Sequence, residues 1–191
     1  MDLNIENLMK TAIAEMENGQ HAEAAKHFDL VVINDSENIE APFYRAYCNC
    51  YDIKIGDMPN AATNFTSAFC RYINEVKKLN DPAAEKEKFD KAATMLKSLL
   101  ENYEYNGLNV FLTSRKVALS IFEAARMMGG NCRNKLESVN ANVSADTMEA
   151  IAKIYKSLKG RETASEGYII LGIILAVAAA VGWFVYMSNI F

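Results

Sequence analysis

Charged side chains are absent from the C-terminal end of this 191-residue chain. All 20 lysines and arginines lie at or before Arg161, and the last acidic residue is Glu166. The chain also lacks the basic start and apolar run of a secretory signal, because residues 1–6 contain acidic side chains and no basic one. These absences indicate a polar domain followed by an apolar segment, and they argue against export through a cleaved signal.

Recognisable catalytic and cofactor motifs are also missing. The chain has no glycine-rich phosphate loop, no HExxH sequence and no glutamate three residues before either histidine, so nucleotide, zinc-protease and di-iron sites lack support. On a helix, His21 and His27 would point about 240° apart, and Cys48 and Cys50 about 200° apart, so neither pair can hold one metal ion. We therefore predict that the protein is not an enzyme and binds no cofactor or metal. Reduced, small buried side chains are expected at Cys48, Cys50, Cys70 and Cys132.

The N-terminal part of the chain is acidic. Up to Asp57 it contains eleven acidic residues against four basic ones. Because contacts to phosphate need clustered lysine and arginine, this charge balance argues against nucleic acid as a partner.

Residues 168–187 predict a single transmembrane helix. Their sequence is YIILGIILAVAAAVGWFVYM, and 20 residues span about 30 Å as a helix, which matches the hydrocarbon core of a bilayer. Isoleucine, leucine, valine and phenylalanine at ten of these positions favour insertion by roughly 3 to 6 kcal/mol. A buried core helix is the alternative, but such a helix rarely has apolar residues on every face. The aromatic residues that would lie at the two membrane interfaces are Tyr168, Trp183, Phe184 and Tyr186.

The charges around this segment predict its orientation. Basic residues precede it and none follows it in residues 188–191, so the N-terminal domain is expected to face the cytoplasm. A C-terminal anchor of this kind is typical of tail-anchored proteins. The missing basic tail favours a bacterial inner membrane or the endoplasmic reticulum over the mitochondrial outer membrane. The flanking basic residues are Lys153, Lys156, Lys159 and Arg161.

Two short features adjoin the anchor. Residues 160–167, GRETASEG, predict a flexible linker that lets the domain move freely above the bilayer. Gly172, Ala176 and Ala180 recur every four residues and could pack two anchors into a homodimer, with a monomeric anchor as the alternative.

Apolar residues at helical spacing predict about seven helices before the anchor, and no strand. Asn106 and Gly107 are expected to end the fifth helix, and Gly129 and Gly130 the sixth, with a polar loop over 131–143. The fold class is therefore all-α. The expected helices cover about residues 5–16, 21–33, 40–55, 58–79, 82–105, 114–128 and 144–159.

A pattern of small and aromatic residues occurs twice in the first half of the chain. Gly19, Ala24 and Phe28 are matched 37 residues later by Gly56, Ala61 and Phe65, and Val31 stands where Ala68 stands. This pattern resembles tetratricopeptide repeats, whose helical hairpins recur at about 34 residues. The usual tryptophan and tyrosine of the first helix are missing, and Ser36 replaces the closing proline.

The resemblance covers about 75 residues and implies the domain organisation. Residues 1–79 would form repeat-like helical hairpins, and residues 80–159 a degenerate repeat or cap. The linker 160–167, the anchor 168–187 and the short tail 188–191 would follow. An ordinary helical bundle is the alternative.

The resemblance also implies function, since such repeats are peptide-binding scaffolds. We expect a membrane-tethered adaptor that recruits a cytoplasmic protein or peptide. The alternatives are a structural subunit of a membrane complex and an enzyme without a recognisable motif. Family members that bind chaperones hold a terminal carboxylate with lysine and asparagine; this chain has Lys10 but no matching asparagine.

A tyrosine stripe on the third predicted helix is the candidate partner site. Tyr44, Tyr47 and Tyr51 recur at i, i+3 and i+7, and tyrosine supplies a large contact area with little loss of rotamer freedom. The acidic surroundings would select a basic or amphipathic peptide. The alternative is that this stripe packs under the first or fourth helix as part of the core.

Overall fold

A computed structural model describes residues 4–161. These residues contain helices and no strand, which confirms the all-α class. A 3₁₀ turn, Ile55–Asp57, precedes α4. The helices are α1 (Ile5–Glu17), α2 (His21–Asn34), α3 (Ala41–Cys48), α4 (Met58–Lys77), α5 (Pro82–Phe111), α6 (Arg115–Ser138) and α7 (residues 145–161).

The predicted anchor lies outside this region. In the described part of the chain, no helix has both the length and the apolarity that a membrane crossing requires. Residues 168–187 fall beyond it, and with them the anchor residues Tyr168, Gly172, Ala176, Ala180, Trp183 and Tyr186.

Local signals determine several helix ends. The Asn4 side chain accepts a hydrogen bond from the backbone N–H of Asn7 at 3.0 Å and caps α1. Asp81 caps α5 in the same way, and Pro82 occupies the first helical turn. The predicted start of the fifth helix is therefore confirmed. Gly19 follows α1 with a φ of 77°, a left-handed conformation that favours glycine.

Packing follows the chain order through the first four helices. Helix α1 contacts α2, α2 contacts α3, and α3 contacts α4, whereas α6 packs against both α4 and α5. Aromatic side chains fill the centre, where Phe43 stacks on Tyr72 with ring centroids 4.5 Å apart. Phe28 and Phe65 are fully buried, as predicted for aromatics that fill the hairpin cores.

Helix α5 does not end at Asn106 and Gly107 as predicted, but continues to Phe111. Gly107 is buried, and a Cβ atom at this position would lie 2.3 Å from Cε1 of Phe122 on α6. The glycine therefore serves close packing between two helices instead of ending one of them.

Helix α6 likewise continues through Gly129 and Gly130 to Ser138, so the loop predicted over 131–143 is wrong for its first eight residues. Cys132 and Leu136 are buried and extend the apolar face of α6 by two turns. A Cβ on Gly129 would lie 3.2 Å from Cδ2 of Leu100 on α5. Burial of this face offsets the low helix propensity of the two glycines.

Helix α3 is shorter than predicted. It ends at Cys48, and Asp52 adopts a left-handed φ of 53° in the turn that follows. Tyr51 therefore lies beyond the helix, and its position is not determined by helical spacing from Tyr44.

Helix α7 lies along α5 in the same direction. The backbone N–H of Ser144 donates to Oδ1 of Asp90 at 2.7 Å, near the start of α5. At the other end, Arg161 Nη2 donates to Oε1 of Glu104 at 2.9 Å, and the Ser157 hydroxyl donates to the same oxygen at 2.7 Å. The first two residues of the predicted 160–167 linker thus belong to α7.

Candidate partner-binding groove

The structure places Tyr44 and Tyr47 in the core. Their exposed fractions are 2% and 9%. The ring of Tyr44 packs against Phe28 of α2, with centroids 5.5 Å apart. Helix α5 covers the other side, where Lys91 Nζ lies 4.7 Å from the centroid of the Tyr44 ring. An accessible stripe is therefore wrong for these two residues, because large aromatics at helical spacing lose most contact with water when neighbouring helices pack on them.

Tyr51 is half-buried in the turn after α3. Its hydroxyl is 3.0 Å from that of Tyr47, and its ring stacks on His21 with centroids 4.0 Å apart. Burial raises the pKa of Tyr51 and lowers the pKa of His21, because both charged forms lose solvation. Tyr47, Tyr51 and His21 therefore form a packed cluster, in which Tyr51 and His21 are half-buried.

A groove opens instead between α2, α3 and α4, with a volume of about 730 Å³. Its floor consists of small or apolar side chains, and polar side chains form its walls. The floor residues are Pro42, Ala46, Ile53, Ala61 and Ala68; the walls include Asp29, Arg45, Asn49, Asp57, Asn60, Asn64 and Arg71.

The spacing of residues on α4 builds one side of this groove. Asn60 and Asn64 are four residues apart and lie on the same face of the helix. Ala61 and Ala68, two turns apart, have no side chain beyond Cβ, which leaves the space beside α3 open. These alanines belong to the small-and-aromatic pattern of the sequence. One side of α4 therefore borders the groove with Ala61 and Ala68, and another side fills the core with Phe65.

The polar side chains of the groove walls differ in whether they form ion pairs or hydrogen bonds within the protein. Arg45 Nη1 pairs with Asp29 Oδ1 at 2.7 Å, but both side chains are more than one-third exposed, and such pairs contribute roughly 0 to 1 kcal/mol. Arg71 is exposed and has no ion pair with the residues that the structure describes. Within the same residues, the side-chain amides of Asn60 and Asn64 make no hydrogen bond. The groove therefore offers amide donors and acceptors, one guanidinium and the carboxylate of Asp57 to a ligand.

None of the four cysteines lines the groove. Cys48, Cys50 and Cys132 are buried, as predicted, whereas Cys70 is half-buried; all four are free thiols. Burial raises the pKa of both Cys48 and Cys50 to about 12. These thiols stay protonated at neutral pH and are poor nucleophiles.

The histidines have separate environments, as predicted. His27 Nδ1 is 2.6 Å from Oε2 of Glu15 on α1, whereas His21 packs on the tyrosine cluster. Among residues 4–161 no group of three or more histidine, cysteine or acidic residues is arranged to hold a metal ion.

Sequence reasoning missed the groove. The available signal was the i, i+4 asparagine pair on a helix with alanines beside it, but that signal is also typical of a solvated helix face. A scan against protein-family models, a search of curated proteins and a search of solved structures each found no match for this chain.

Proposed function

We propose that this protein is a membrane-tethered adaptor that recruits a cytoplasmic protein partner. Residues 168–187 would cross the membrane once, and the helical domain would lie on the cytoplasmic side of a bacterial inner membrane or the endoplasmic reticulum. The observation that carries the proposal is the groove between α2, α3 and α4, whose floor of small and apolar side chains is bordered by the amides of Asn60 and Asn64.

An extended peptide segment is the ligand that fits this groove. The side chains of Asn60 and Asn64 each offer a donor and an acceptor, which is what a peptide bond also offers. The alanine floor leaves room for small side chains, and Arg71 suits an acidic side chain or a terminal carboxylate. Tethering would raise the local concentration of the bound partner at the membrane without adding contacts.

The experiment is a crosslinking pull-down from native membranes with two double variants. One chain carries Asn60→Ala and Asn64→Ala in the groove. The matched control carries Asn74→Ala and Asn131→Ala, which are also exposed asparagines on helices but lie outside the groove. Both chains gain similar helix propensity, so a difference in capture reports the position of the asparagines.

We expect the groove variant to lose partner capture while the control retains it, with similar melting temperatures for both. Equal capture by the two variants would refute the groove as the binding site. Reversible binding of the captured protein to the purified chain supports an adaptor. Co-purification in fixed stoichiometry would instead indicate a structural subunit of a membrane complex.

A further inference from the structure

Three exposed apolar side chains cluster at the C-terminal end of α5. Tyr105, Leu108 and Leu112 are 65%, 42% and 94% exposed. Their i, i+3 and i+7 spacing places them along one side of the helix end. Leu112 caps α5 in the turn to α6 and is the most exposed large hydrophobic residue in the described part of the chain. We call these three residues the apolar edge.

The chain leaves the described domain at this same end. Arg161, the last described residue, bonds to Glu104, which immediately precedes Tyr105. From Arg161 to the start of the predicted membrane segment at Tyr168 is seven residues, a distance of at most about 25 Å. The apolar edge is therefore held near the point at which the chain would enter the bilayer.

This end carries basic side chains in excess, beside acidic ones: Glu101 lies one turn before Tyr105 on the same side of α5, and Asp52 borders the same cavity as Tyr105. Residues 105–122, at the end of α5 and the start of α6, contain Arg115 and Lys116 and no acidic residue. Residues 150–161 of α7 contain four basic residues and no acidic one. Glu104 lies between these segments and is paired with Arg161. An apolar edge beside basic side chains is the combination that binds the interface of an anionic membrane.

We propose that the apolar edge docks the domain on the anionic lipid surface of its own membrane. This inference rests on the proposed membrane attachment, and it replaces a freely moving domain with one held in a defined orientation. Tyr105, Leu108 and Leu112 lie in the headgroup region, and the exposed Lys116, Lys153 and Lys156 contact lipid phosphates. Lipid is favoured over a second copy of the chain because the edge lies at the end of the domain from which the chain continues toward the predicted membrane segment.

The test uses the full chain reconstituted in vesicles of phosphatidylcholine with or without phosphatidylglycerol. Leu112→Cys is labelled with an environment-sensitive fluorophore in a Cys70→Ser background, since Cys70 is the only cysteine that is not buried. Ile33→Cys is the matched control, because Ile33 is 75% exposed and also apolar. Ile33 lies toward the other end of α5. Glu40 follows Ile33 by seven residues and pairs with Lys88 of α5. Lys88 and Leu112 are about 36 Å apart along the helix.

We expect blue-shifted emission and quenching by nitroxide-labelled lipid at position 112 but not at position 33. Both signals should weaken in high salt and in vesicles without phosphatidylglycerol. If positions 112 and 33 are equally exposed to water while the chain resists carbonate extraction, the docking proposal is wrong. The predicted membrane anchor would still be supported in that case. Extraction by carbonate would refute the membrane attachment itself. Shielding of position 112 that persists in detergent and rises with protein concentration would point to a second copy and overturn the lipid proposal.

Discussion

Replacing Gly107 with alanine should destabilise the protein, although alanine is the better helix former. In an exposed helix interior this substitution gains about 1 kcal/mol. At Gly107 the new Cβ would lie 2.3 Å from Cε1 and 2.8 Å from Cδ1 of Phe122, whereas carbon atoms in contact are normally about 3.5 to 4 Å apart. Phe122 is 1% exposed and has little room to move. Overpacking of a core costs about 1 to 3 kcal/mol, and this overlap belongs at the upper end, so we expect a net loss of about 2 kcal/mol.

Urea unfolding followed by circular dichroism measures this loss. Gly160→Ala is the control, because a Cβ there meets nothing within 4 Å, and its stability should be unchanged or rise by up to about 1 kcal/mol. Phe122→Leu removes part of the ring that the new methyl group at position 107 would overlap. The double variant should therefore lose less stability than the sum of the losses in the two single variants, by about 0.5 to 3 kcal/mol.

A Gly107→Ala protein as stable as the wild type would refute this reasoning. It would mean that α5 and α6 can move apart without loss of stability, and that Gly107 contributes only its low helix propensity. Additive losses in the double variant would place the clash elsewhere than at Phe122.

Further outcomes follow from burial. Tyr44→Ala should lose about 3 to 5 kcal/mol of stability in urea unfolding because it empties the core, whereas Tyr105→Ala should change stability by less than about 0.5 kcal/mol. The lowered pKa of His21 means that the unfolded chain takes up the proton first as pH falls below about 6.5, so stability should fall toward pH 5. His21→Phe keeps a ring on Tyr51 and should lose less stability between pH 7 and pH 5. An equal loss in this variant would show that His21 does not cause the pH dependence. A chain ending at Arg161, which keeps its ion pair to Glu104, should be monomeric and soluble in size-exclusion chromatography without detergent.

The sequence alone was sufficient for features that depend on neighbouring residues. Helical periodicity predicted the all-α fold, and the Asp81–Pro82 pair predicted the start of α5, because capping and proline geometry act within one turn. The burial of Phe28 and Phe65 also followed from the pattern, since an aromatic on the apolar side of a helix is usually enclosed.

Glycine marks where local reasoning failed. Gly107 and the Gly129–Gly130 pair carry the usual signal of a helix end, yet each lies inside a helix that faces a close neighbour. The same missing side chain permits a left-handed backbone or a close approach of two helices. Which of the two applies depends on whether another helix lies opposite, and that information is not in the local sequence.

The partner-binding surface depended on tertiary structure for the same reason. Periodicity identified Tyr44 and Tyr47 as one face of α3, but it could not show that α5, more than 40 residues later in the chain, covers that face. Nor could it show that the alanines and asparagines of α4 border an open groove. A period of 3.6 residues specifies which side chains share a face, whereas packing of distant helices decides whether that face meets protein or water.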